Sequence, residues 1–96
     1  MLFRSNLKDI DLVEALDDYI KLYIKPTPIL VLMTLKSIQE KLPSKEFIRI
    51  HRSYIIPLAK VEKFSKSKVF VSGKELPIGT SYGDVYDVLL ERVKAD

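Results

Sequence analysis

The chain has 96 residues, 47% apolar and 30% charged, which fits a single domain over 1–96 with a small core and excludes both a disordered chain and a second domain. It contains no cysteine, so disulfide staples and thiolate metal sites are excluded. The net charge of +3 is unevenly spread: residues 1–40 balance to −1, residues 41–68 to +6 and residues 69–96 to −2. A basic middle of this kind is either a solvated face or a surface for polyanions, nucleic acid first.

From the N-terminus, "MLFRSNLKDIDL" is charged too early to hold the apolar stretch of a signal peptide. "DIDLVEALDDYIKLYIK" then mixes apolar and polar residues near period two, which predicts two strands joined by a turn at Asp17 and Asp18. A short helix through "LVEAL" is the alternative. "KPTP" at 25–28 breaks the chain, because proline can donate to neither a ladder nor a helix. "ILVLM" at 29–33 reads as a buried strand, and as the longest apolar run it is far below the roughly 20 residues of a membrane span. A cytoplasmic location is the expectation.

"TLKSIQEKLP" changes period. Thr34 can cap, Leu35, Ile38 and Leu42 recur at helical spacing, and Pro43 stops the helix. "FIRIHRSYIIPL" returns to strand chemistry. Next come a strand at 60–64, a polar turn "SKSK", a strand at 68–71, a turn at Gly73 and a third short strand at 76–78. Ser81 opens the last element, with Tyr82, Val85, Tyr86, Leu89, Leu90 and Val93 on one helical stripe. The predicted fold is mainly β (α+β): small stacked antiparallel sheets, one short internal helix and a C-terminal helix.

Catalysis finds little support. One histidine, no cysteine, no Gly-rich phosphate loop and a carboxylate pair placed to cap its own turn leave no constellation for a reaction, so the chain is read as a non-enzyme without cofactor or metal. "FIRIHRSYII" at 47–56 is the informative stretch. If Ile48 and Ile50 face the core, Arg49 and His51 face away and Arg52 falls on the inward parity. An unpaired buried guanidinium costs several kcal/mol. The strand must therefore end, twist or bulge at His51 and Arg52, leaving a polar "HRS" tip whose donors suit phosphates and guanine edges. The competing reading pairs Arg49 with a carboxylate and lets His51 bond a backbone carbonyl.

With "TLKSIQEKLP" before it, "LPIGTSYGDV" after it and "DIDLVEALDDYIKLY" upstream, "FIRIHRSYIIPLAKVEKF" resembles the LytTR-type DNA-binding domain over about Lys8 to Leu90. The resemblance implies stacked small sheets and sequence-specific duplex binding by bacterial transcription regulators, chiefly response regulators of two-component systems. Loops enter successive major grooves there. Carried onto this chain, one loop falls on Asp18, Tyr19, Ile20 and Lys21, a second on His51, Arg52 and Ser53, and a third on Gly79, Thr80 and Ser81. The family's arginine pair at the third loop is here Thr80 and Ser81, and its first strand before Asp9 is barely present. Arg52, Lys21 and Thr80 are assigned to bases; Arg49, His51, Ser53, Lys66 and Lys68 to phosphates. A receiver domain and a sensor histidine kinase are the implied partners, with a monomer in solution and two protomers on paired DNA sites. The alternative is a protein-interaction module using "ILVLM" and "KVFVS" as free strand edges. Single-strand binding on Tyr23, Tyr54, Phe64 and Phe70 is a third reading.

Overall fold

The computed structural model describes residues 7–24 and 27–95. Strands β1 (Ile10–Leu16) and β2 (Tyr19–Ile24) form a hairpin, and β3 (Ile29–Val31) pairs with β2. After helix α1 (Leu35–Lys41) come β4 (Phe47–His51), β5 (Tyr54–Pro57), β6 (Val61–Phe64), β7 (Lys68–Val71), β8 (Lys74–Pro77) and helix α2 (Asp84–Ala95). Short 3-10 turns occupy Leu7–Asp9, Leu58–Lys60 and Thr80–Tyr82. One sheet has the order β3-β2-β1-β5-β4, the other β6-β7-β8, and every pairing is antiparallel. This is the mainly-β arrangement with one internal and one C-terminal helix that the patterning predicts.

Local chemistry places the elements. Asp17, in the β1–β2 turn, has φ 48°, a left-handed conformation that a short polar side chain tolerates. Thr34 caps α1 by accepting the Ser37 N–H at 3.1 Å, and Leu35 and Ile38 turn inward one helical turn apart. "LVEAL" lies in β1, so the helical alternative fails against the ladder that β2 and β5 supply.

The large sheet is covered on both faces. On one, Ile10, Val13, Ile20, Leu22 and Ile55 meet Leu35 and Ile38 of α1. On the other, Leu12, Ile50 and Ile56 meet Val69, Val71 and Leu76 of the small sheet and Val85 and Leu89 of α2. A bulge at Asp11 lets Ile10 and Leu12 serve opposite cores despite sharing a parity. That same residue ties the sheets together: its carboxylate takes the Lys60 ammonium at 2.6 Å, and its carbonyl accepts the Ser72 hydroxyl at 3.2 Å. At the far end of the molecule Ile78 N–H donates to the Ser67 carbonyl and Gly79 N–H to the Ile50 carbonyl, each at 2.8 Å.

Several expectations change. "FIRIHRSYII" is two strands and a turn, because residues 52–53 reverse the chain and β5 pairs back on β4. "ILVLM" is no buried strand: β3 is an edge, with Leu30 61% and Leu32 70% exposed. Composition marks a strand as apolar but not its place in the sheet. "KVFVS" is the middle strand of the small sheet and offers no edge. Ser81 starts a 3-10 turn, not the helix, which begins at Asp84; the stripe still buries Val85 and Leu89, but Val93 is 59% exposed. Of the break at 25–28, residues 25 and 26 lie outside the described residues, as does the short segment 1–6 before Asp9.

Tyr23 provides a test of this packing. Its hydroxyl donates to Glu14 Oε1 at 2.7 Å across the β1–β2 hairpin. That hydrogen bond first, and burial second, push the phenol from 10.0 up to about 12. The folded state thus holds this proton more tightly than the unfolded chain. The contribution is intact below about pH 10 and is lost as pH rises towards about 12. In urea unfolding, the stability gap between wild type and Tyr23→Phe should narrow across that window. A gap independent of pH would contradict the Tyr23–Glu14 link.

Candidate nucleic-acid interface

The β4–β5 hairpin builds the centre of the site. Its register slips between Arg49, opposite Ile55, and His51, opposite Tyr54. Ile50 and His51 together therefore face Tyr54, and His51 leaves the face that simple alternation gives it alongside Arg49. The His51 and Tyr54 rings lie 5.4 Å apart at 46°. Arg49 folds over the turn: Nη2 donates to the Arg52 carbonyl at 2.8 Å and Nε to the His51 carbonyl at 3.3 Å. Its partners are backbone carbonyls rather than the carboxylate that pairing chemistry suggests.

His51 closes the same turn from the other side. Its Nδ1 accepts the Ser53 N–H at 3.1 Å. The expectation of a bond to a carbonyl is thus reversed, since here the ring is the acceptor. In the neutral ring this leaves the proton on Nε2, which makes that atom a donor. Arg52 itself is exposed and forms no salt bridge among the described residues.

Other turns gather around this one. Ala15 N–H donates to the Ser53 carbonyl at 2.9 Å, which sets the β1–β2 turn beside the β4–β5 turn. The Gly79–Ile50 and Ile78–Ser67 bonds bring in the Thr80–Tyr82 turn and the β6–β7 turn. Four turns, at 17–18, 52–53, 65–67 and 79–82, therefore share one end of the molecule. His51, Arg52, Ser53, Lys66, Thr80 and Ser81 come together there, with Tyr19 at the start of β2. Tyr19 is 47% exposed, and Thr80 and Ser81 are exposed.

The remaining candidates are placed differently. Lys21 sits one step inside β2, opposite Glu14, with its ammonium 4.8 Å from the centre of the Tyr23 ring. Lys66 reaches over Tyr86 at 5.8 Å. Lys68 turns away to Glu75 on β8 at 2.9 Å, so part of its charge is already answered. Tyr23, Tyr54 and Phe64 pack against the core between the sheets, which removes three of the four aromatic platforms considered for single strands.

The role of Gly79 was not legible in the sequence. Its φ of −64° is open to any residue, so conformation is not the reason for glycine. Space is: a Cβ there would stand 2.9 Å from Tyr82 Cδ1 and 3.5 Å from His51 Cδ2. The missing side chain lets the Thr80–Tyr82 turn close onto β4. A glycine among turn residues carries no mark of that packing.

Fold and site together define a small β-rich domain that presents cationic and hydroxyl side chains on clustered turns. The family model for the LytTr DNA-binding domain matches residues 1–86. The chain belongs to the LytTR family of DNA-binding domains. Among solved structures, it is similar to the LytTr DNA-binding domain of a response regulator from Bacillus cereus, with TM-score 0.72 and 24% identity over 86% of this chain and 82% of that one. At that identity the likeness speaks for the fold. No curated protein matches the chain.

Arg49 is the residue whose role the geometry changes most. Arg49→Ala should cost about 1 kcal/mol in urea unfolding, since two turn carbonyls lose their donors to water. Arg49→Lys should recover little of it, because one ammonium cannot reproduce the guanidinium fork. Full recovery by lysine would mean that charge, not the clamp on the turn, is what the site needs.

Proposed function

We propose that this domain binds duplex DNA in a sequence-specific manner as the output module of a bacterial transcription regulator, reading major grooves through its turns. The observation that carries this reading is the gathering of four turns at one end, in a chain of a DNA-binding family. Arg52 is the base reader: it is exposed, unpaired among the described residues, and mounted on a turn clamped by Arg49 and His51. Thr80 and Ser81 add neutral donors, and Lys21 and Tyr19 flank them on β2. His51 Nε2, Ser53 and Lys66 suit phosphates, whereas Arg49 and Lys68 serve the fold first.

Around this site we place the domain in the cytoplasm, in a two-component system with a receiver domain and a sensor kinase. It is monomeric alone and paired on adjacent DNA sites. It acts by binding, with no reaction of its own. The β3 edge, with Leu30 and Leu32 exposed, keeps a protein-contact reading alive beside DNA binding.

Selection of bound duplexes from a random library should return a consensus, and no enrichment would overturn the reading. On that consensus, Arg52→Ala should lose about 1–3 kcal/mol and relax one position. Equal loss on consensus and scrambled duplex would demote Arg52 to a phosphate contact. With Lys68 paired and Arg49 turned to the backbone, about four phosphates are neutralised, so log K should fall with log salt at a slope of about −3.5. A slope near zero would sink the electrostatic account.

A further inference from the structure

The basic block at 41–68 does not form one patch. Arg49, Arg52, Lys66 and Lys68 lie towards the clustered turns, but Lys45 and Lys60 lie at the other end of the β4–β5 hairpin, where Phe47 pairs with Pro57. There they meet Lys8 from the N-terminal 3-10 turn and Arg92 from α2 around an open groove of about 480 Å³. Phe47, Pro57 and Ala59 contribute its apolar lining, and Glu46 is its one acidic side chain. Lys60 is already held by Asp11 at 2.6 Å. Lys8, Lys45 and Arg92 form no ion pair among the described residues, and all three are exposed.

We infer that this groove is a docking site for an acidic protein segment, one with an apolar side chain flanked by carboxylates. The apolar residue would cover Phe47, Pro57 and Ala59, and the carboxylates would answer Lys8, Lys45 and Arg92. Charge complementarity selects the sign of the partner. The floor selects its kind, because a phosphate backbone has nothing to lay against an apolar surface and would meet Glu46 as a like charge. The groove is a hairpin's length from Arg52, so a partner can be held while the turns at the opposite end are occupied. The inference goes beyond the DNA reading and does not depend on it.

The test uses the whole chain and a fluorescein-labelled peptide, Asp-Asp-Leu-Phe-Asp-Asp, in anisotropy titrations at low salt. Saturable binding is expected. The double variant Lys45→Glu, Arg92→Glu should weaken it at least about tenfold, with duplex binding unchanged, since charge reversal at a rim acts on complementarity alone. Arg52→Ala should change peptide affinity less than about twofold, because Arg52 is remote from the groove. Asn-Asn-Leu-Phe-Asn-Asn and Asp-Asp-Gly-Ser-Asp-Asp should both bind much more weakly. No saturation by about 1 mM peptide would overturn the inference. So would equal binding of the asparagine peptide, an equal loss with Arg52→Ala, or displacement of the peptide by duplex DNA.

Discussion

The bulged end of β4 is the constraint on which the site depends. At Ile50 and His51 two residues face Tyr54, and the backbone there is gripped from several directions. The Ile50 carbonyl receives Gly79 N–H, the His51 ring receives Ser53 N–H, and the Arg49 guanidinium spans the His51 and Arg52 carbonyls. A two-residue turn bearing an exposed arginine is otherwise a mobile feature. Here it is fixed by polar contacts whose donors and acceptors belong to the segments that converge on it. The energy of each contact is small, but together they restrict where Arg52 can start from, and pre-organisation of this kind lowers the cost of recognition.

Two cores make that constraint possible. Because α1 covers one face of the large sheet and the small sheet with α2 covers the other, β5 can be apolar on both faces, with Ile55 and Ile56 in different cores. The sheets are pinned at opposite ends, by Asp11 with Lys60 and Ser72 at one and by the Ile50, Ser67, Ile78 and Gly79 backbone at the other. Charge then divides along the same axis. Arg52 and Lys66 project at the turn end, and Lys8, Lys45 and Arg92 surround an apolar groove at the other. One basic stretch of chain thus supplies two surfaces of different character.

Much of this was legible in the sequence. Period-two runs marked β1, β2 and β7, Thr34 and Pro43 bounded α1, and the stripe from Val85 to Leu89 marked α2. The parity of Arg52 demanded a break near it, and the hairpin turn falls there. What parity could not supply was the pairing partner: "FIRIHRSYII" looks continuous because a strand buried on both faces and its neighbour are equally apolar. The exposure of "ILVLM" was hidden for the related reason that edge position is decided by topology. The tasks of Arg49 and Gly79 were hidden because a clamp on carbonyls and a gap left for a ring depend on contacts between residues distant in sequence or across a turn.

The central claim is that the clustered turns are the DNA face. The most direct measurement is an amide chemical-shift map of the domain, titrated with a duplex carrying its selected site. The account predicts the largest changes at Tyr19 to Lys21, His51 to Ser53, Lys66 and Gly79 to Tyr82, with little change at Lys45, Ala59 or Arg92. Changes concentrated around Lys45 and Arg92, or along Leu30 and Leu32, would contradict it.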